Sequence, residues 1–256
     1  MDLHIKDQLF IVGGASSGLG RAVAIRLLQE GASVIGVARG PEALMEMENE
    51  YPGQFRFVAA DITTNGALVE IVEMAGERQV HGVLVNAGGP PAKMIMETTP
   101  GDWDDAYQKL LRWKVPLVQA LIPAMKESGY GRILFLESQS VKQPIENLVL
   151  SNSLRMAVVG FAKTLSKEMA GTGITANVIG PGSHNTAAIE RLYKKKSEQT
   201  GLSTGEVRAA AIRAIPAGEL GQAEDFAQLA AWLLSPGSRY VTGQVYLVDG
   251  GSTAGV

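Results

Sequence analysis

Seven short runs rich in Val, Ile, Leu and Ala recur along the chain: Leu9 to Val12, Ser33 to Ala38, Phe55 to Ala59, Gly82 to Val85, Ile133 to Leu136, Thr175 to Ile179 and Gln244 to Val248. Most lack polar alternation, as strands do when both faces of a parallel sheet are covered. Segments of helical period lie between them, among them Leu19 to Gln29, Thr64 to Glu77, Trp103 to Lys126, Leu154 to Ala170 and Ala223 to Leu234. This alternation predicts a single-domain α/β fold, a doubly wound sheet of about seven parallel strands with helices on both faces. The longest break in the rhythm, Ser183 to Gly221, follows a strand end and reads as a lid insertion rather than a second domain. Its run Lys194, Lys195, Lys196 reads as a solvated face.

Composition narrows the chemistry. The chain has 256 residues, enough for one large core without staples. It contains no Cys and only three His, so disulfides, thiolate metal sites and a Cys nucleophile are excluded and a metalloenzyme is not expected. Asp2, Lys6 and Asp7 interrupt the first dozen residues, unlike a secretory signal. No stretch approaches the roughly 18 apolar residues of a membrane span, and a formal net charge of −3 argues against sequence-independent nucleic-acid binding. The expectation is a cytoplasmic protein with neither membrane nor nucleic acid as partner. Charged residues make up 19% and hydrophobic ones 46%, which fits a well-filled core or a large subunit interface.

The first apolar run leads straight into Gly13, Gly14, Ala15, Ser16, Ser17, Gly18, Leu19 and Gly20, where a helical segment begins. Strand, tight glycine loop and helix together aim backbone N–H groups and the helix dipole at a phosphate. Gly14 would allow the turn, Gly18 would let a pyrophosphate approach the backbone, and Gly20 would let the helix pack against the strand. The pattern points to a dinucleotide cleft in a Rossmann fold.

The spacing GxxxGxG resembles that of the short-chain dehydrogenase/reductase family, with Gly13 in place of the usual Thr. Further family marks follow in order: Asp61 and Ile62 as an adenine contact, Asn86, Ala87 and Gly88 as NAG, and Pro181, Gly182 and Thr186 as a nicotinamide clamp. Val241 to Gln244 and Val248 to Gly251 match its C-terminal signature. The resemblance spans essentially the whole chain. It implies cofactor contacts from Gly14, Ser16, Ser17, Gly18, Leu19, Gly20, Asp61, Ile62, Asn86, Ala87, Gly88, Arg155, Pro181, Gly182 and Thr186. The family's acidic position for NAD falls on Ala38, followed by Arg39. A missing acid beside a guanidinium favours NADP(H), with NAD(H) as the alternative.

The resemblance also assigns catalytic positions, and here the chain departs from it. Ser138 fits the Ser that orients the substrate carbonyl. The Tyr of YxxxK is Ser151 and its Lys is Arg155, so the motif reads SxxxR; the Asn position falls on Leu110. Four residues apart on a helix, Ser151 and Arg155 face the same way, beside a core stripe of Leu154, Val158, Phe161, Leu165 and Met169. An aliphatic hydroxyl titrates far above a phenol and is a poor general acid. Arginine keeps its charge and can hold ribose hydroxyls or polarise an oxygen. Substitute acids near the strand ends are Glu137, Lys142 and His184, none favoured; Tyr130 stands at the wrong end of its strand and Lys163 two turns beyond Arg155.

SxxxR resembles a divergent subgroup similar to β-ketoacyl carrier-protein reductases, although Glu219 stands where relatives carry a basic residue. The reading is therefore an NADP(H)-linked oxidoreductase acting on a small carbonyl or alcohol through Ser138, Ser151 and Arg155. The alternative is an NADP(H)-binding protein without turnover, a redox sensor or partner subunit. The resemblance further implies a homotetramer built on the helices around Trp103 to Lys126 and Ser151 to Ala170 and on the C-terminal segment.

Overall fold

A computed structural model describes residues 2–255. Seven strands form one sheet: β1 (Leu9–Gly13), β2 (Ser33–Ala38), β3 (Phe55–Ala59), β4 (Val80–Val85), β5 (Gly131–Leu136), β6 (Ile174–Pro181) and β7 (Val245–Val248). All neighbours pair in parallel in the order β3-β2-β1-β4-β5-β6-β7. The fold is the expected single-domain Rossmann sheet. Strands β1 and β5 are buried at every residue, which is why they read as continuous apolar runs.

Helices cover both faces. On one, α1 (Gly18–Gln29), α2 (Glu42–Glu50) and α9 (Ala223–Leu234) pack Val23, Leu27, Leu44, Met47, Phe226 and Leu234 against Phe10, Val12 and Leu134. On the other, α3 (Asn65–Ala75), α5 (Lys114–Glu127) and α6 (Val149–Glu168) pack Ile71, Leu117, Met125, Val158 and Leu165 against Ile11, Val83 and Phe135. Apolar burial of this extent, at about 25 cal/mol per Å², is the main favourable term.

Two local expectations need correction, and one helix was not read from the sequence. The segment Trp103 to Lys126 is not one α-helix: α4 (Pro100–Tyr107) passes through a π turn at Gln108–Arg112 before α5. Helix α6 starts at Val149, ahead of the expected Leu154, and so includes Ser151. Helix α2 escapes periodicity because only Leu44 and Met47 are buried among its acidic residues. The insertion 183–221 forms α7 (Ala187–Thr200) and α8 (Thr204–Arg213), which enclose a small apolar cluster of Tyr193, Val207, Ile215 and Leu220. Lys194, Lys195 and Lys196 are exposed. Among the described residues no helix is long and apolar enough to cross a membrane.

Candidate active site

Strand order reverses between β1 and β4, and a cleft of about 970 Å³ opens at the carboxyl ends of the strands there. The glycine loop forms one wall. Gly14 and Gly18 take φ of 70° and 56°, the left-handed region that favours glycine. A Cβ on Gly20 would stand 2.4 Å from the Gly14 carbonyl oxygen, so the start of α1 can close on the loop only without a side chain. Asn86, at the end of β4, fastens this wall by donating from Nδ2 to the Gly13 carbonyl at 3.0 Å.

Of the residues expected at a cofactor, Gly14, Ser16, Ser17, Gly18, Leu19, Gly20, Arg39, Asp61, Ile62, Asn86, Ala87, Gly88 and Thr186 all line this cleft. Pro181, Gly182 and Arg155 do not. Pro181 closes β6 opposite Val248, and the Gly182 N–H donates to the Val248 carbonyl at 2.8 Å. Arg39 is exposed beside Asp61. Burial tends to raise the Asp61 pKa, but the Thr63 hydrogen bonds, with Arg39 and Lys109 nearby, bring it below the usual carboxylate value. Lys109 and Arg191 also line the cleft and were missed in the sequence. Only their place on α7 and the π turn reveals them.

Ser138 follows β5 and caps a short 3-10 turn, its Oγ accepting the Ser140 N–H at 3.1 Å. Ser151 is buried in the first turn of α6, and Arg155 Nε donates to its Oγ at 3.0 Å, so the two share a face as expected. Arg155 Nη1 donates to Glu137 Oε2 at 2.8 Å. Its Nη2 reaches the cleft wall, where a Cβ on Gly89 would lie 3.1 Å away.

A buried ion cluster that no sequence pattern announces stands behind Arg155. Lys114 donates to Oε1 of Glu137, so one carboxylate bridges two cations. The side chains of Lys114 and Glu137 are 2% and 0% exposed, while that of Arg155 is 11% exposed. Lys114 lies between the rings of Trp113 and Phe135, 5.8 and 6.0 Å from their centroids. Burial pushes its ammonium below the ordinary value, against the pull of Glu137. The only sequence signals were a Glu ending an apolar strand and a Lys inside WKVPLV.

The other candidate acids are accounted for elsewhere. His184 is buried, its Nδ1 3.1 Å from the Gly182 carbonyl and its ring edge-on to Phe226. Lys142 is exposed, and Lys163 donates to the Gly243 carbonyl at 3.0 Å. Tyr130 donates to the Leu234 carbonyl at 3.1 Å, and burial pushes its hydroxyl up to about 12. Leu110 is buried and offers no polar atom at the Asn position.

A family profile described as enoyl-(acyl carrier protein) reductase matches residues 14–253. The chain belongs to the short-chain dehydrogenase/reductase family. It is 28% identical over 253 residues to the 3-oxoacyl-[acyl-carrier-protein] reductase FabG of Escherichia coli, covering 97% of this chain and 98% of that one. Identity to the FabG of Vibrio cholerae is 30% over 254 residues, covering 97% and 98%. Among solved structures it superposes on L-sorbose reductase from Gluconobacter frateurii, complexed with NADPH and L-sorbose, with a TM-score of 0.93, 27% identity and full coverage of both chains. Actinorhodin polyketide ketoreductase with NADPH gives a TM-score of 0.90 at 29% identity, covering 97% of this chain and 98% of that one.

Proposed function

We propose that this short-chain dehydrogenase/reductase is an NADP(H)-linked oxidoreductase that moves a hydride between the nicotinamide and a small carbonyl or alcohol substrate. The observation that carries this reading is the switch-point cleft, walled by the glycine loop and closed at the end of β2 by Arg39 instead of an acid. The NADPH of the sorbose reductase and ketoreductase structures supports the same cofactor here, with NAD(H) as the alternative.

When bound, the dinucleotide supplies the hydride. The N–H groups from Gly14 through Gly20 would hold its pyrophosphate, Arg39 the 2′-phosphate, and Asp61 and Ile62 the adenine. Asn86, Ala87, Gly88 and Thr186 would line the path to the reacting end, with Pro181 and Gly182 shaping the turn that carries Thr186. Arg155 would hold the ribose side and counter negative charge on the substrate oxygen. Ser138 would donate its hydroxyl to that oxygen, and Ser151 or water would pass the proton. The α7–α8 insertion would act as the lid. Exposed Tyr107 and Met156, on the helices the family uses for assembly, and the half-buried edge strand β7 support a homotetramer. A cytoplasmic location accords with this reading.

A second reading, NADP(H) binding without turnover, rests on one observation: Ser151 and Arg155 replace the phenol and amine of the usual proton donor. Fluorescence titration with NADPH and NADH, followed by single-turnover oxidation of bound NADPH across ketones, quinones and acyl thioesters, separates the two. Turnover with any of them supports the enzyme; silence across the panel in a protein that binds NADPH establishes the second reading.

A further inference from the structure

We infer that the reacting end of the cleft recognises a carboxylate, so that the substrate of the oxidoreductase proposed above is an oxo acid or its hydroxy acid. The inference rests on that proposal for the reaction, but its own basis is the hydrogen-bonding capacity of three side chains. Ser151 Oγ already accepts from Arg155 Nε, and Ser138 Oγ already accepts from the Ser140 N–H. Each hydroxyl therefore keeps its O–H to donate. Arg155 spends Nε on Ser151 and Nη1 on Glu137, while Nη2 makes no hydrogen bond among the described residues. All three groups offer hydrogens. A carboxylate brings lone pairs and a negative charge, and takes from the unspent Nη2 of Arg155 a charge-assisted hydrogen bond that a neutral amide or alcohol cannot match.

Charge points the same way. Lys114 and Arg155 share the single carboxylate of Glu137, so the buried cluster carries two cations for one anion. Among the described residues, the one acidic group lining the cleft, Asp61, is engaged by Thr63 and lies beside Arg39. An uncompensated charge in a water-poor site is costly, and charge-assisted hydrogen bonds to an incoming anion relieve that cost. Of the three, Arg155 is the most exposed, and its Nη2 lies against Gly89 on the cleft wall, 3.1 Å from where a Cβ would stand. Lys114 thus acts through Glu137 as a positioning residue: it supplies the excess charge that Arg155 presents.

The test compares pyruvate, 2-oxobutyrate and acetoacetate with the amides of the same three acids. Binding is read from tryptophan fluorescence, Trp113 being next to Lys114, with and without saturating NADPH. The acids are expected to bind about tenfold or more tighter than their amides, a difference of about 1.4 kcal/mol. Arg155→Gln should remove the difference, and Lys114→Met, which leaves Glu137 paired with Arg155, should shrink it severalfold. Equal affinities, no binding by either series, or a preference that survives Arg155→Gln overturns the inference. Failure to bind NADPH would instead strike the proposed reaction, and the cofactor-free titration would still decide the carboxylate question.

Discussion

Arg155 and Glu137, eighteen residues apart in sequence, meet through one hydrogen bond of 2.8 Å between Nη1 and Oε2. The carboxylate end is fully buried and the guanidinium end is not. A strand end thereby holds a helix residue against the cleft wall at Gly89, and the second cation, Lys114, fills the other carboxylate oxygen.

Removing that carboxylate leaves two cations facing each other without water. Glu137→Gln is expected to lower stability by about 3 to 5 kcal/mol, the usual penalty for orphaning a buried charge. For a chain of this size that is a fall in Tm of roughly 10 °C. Lys114→Met leaves the Glu137–Arg155 pair intact and should cost clearly less. Thermal unfolding of the two variants beside the wild type checks the order; equal losses would show that packing, not charge, holds the cluster.

Lys114 also gives stability a pH dependence of known sign. Its folded pKa lies below the ordinary 10.5 because burial penalises the ammonium. Between the depressed value and 10.5 the unfolded chain binds more protons than the native one, so stability rises with pH across that window. Glu137, just past β5, and Arg155 on α6 are the charged groups that face it. Urea unfolding at a series of pH values should give a steeper rise for the wild type than for Lys114→Met, and parallel curves would refute the depressed value.

At the other end of the cleft, Arg39→Ala should weaken NADPH binding about tenfold to a hundredfold and leave NADH nearly unchanged, as expected for loss of a charge-assisted phosphate contact. Ala38→Asp should reverse the preference by repelling a 2′-phosphate and receiving the ribose hydroxyl. Direct fluorescence titration with both nucleotides measures it. A loss shared equally by NADPH and NADH would place Arg39 on the pyrophosphate.

These predictions mark where the sequence was legible. Strand runs such as Leu9 to Val12 and Ile133 to Leu136 were plain because burial on both faces forces an uninterrupted apolar pattern, and the glycine loop was plain because its backbone tolerates few residues. Helix α2 and the π turn were not, since the first exposes most of its surface and the second depends on packing beneath it. The Lys114–Glu137 pair was invisible for a related reason. Its partners lie 23 residues apart on different elements, and no local spacing announces a contact made by tertiary folding.

Acid should loosen α4 first. Asp102 closes a capping box with Thr99 and pairs with Lys93, and the Lys93 hydrogen bond, with those from Thr99, lowers its carboxyl from 3.8 to about 2. A depressed carboxyl stabilises the fold above the unfolded value and loses that effect as pH falls through the folded one, so the window runs from 3.8 down to about 2. Asp102→Asn should reduce the pH dependence of α4 protection in that window. Because Lys93 also bridges to Leu148 at the entrance to α6, hydrogen exchange at low pH should open α4 and the start of α6 together. Protection lost in α4 alone would mean that Lys93 does not couple the two elements.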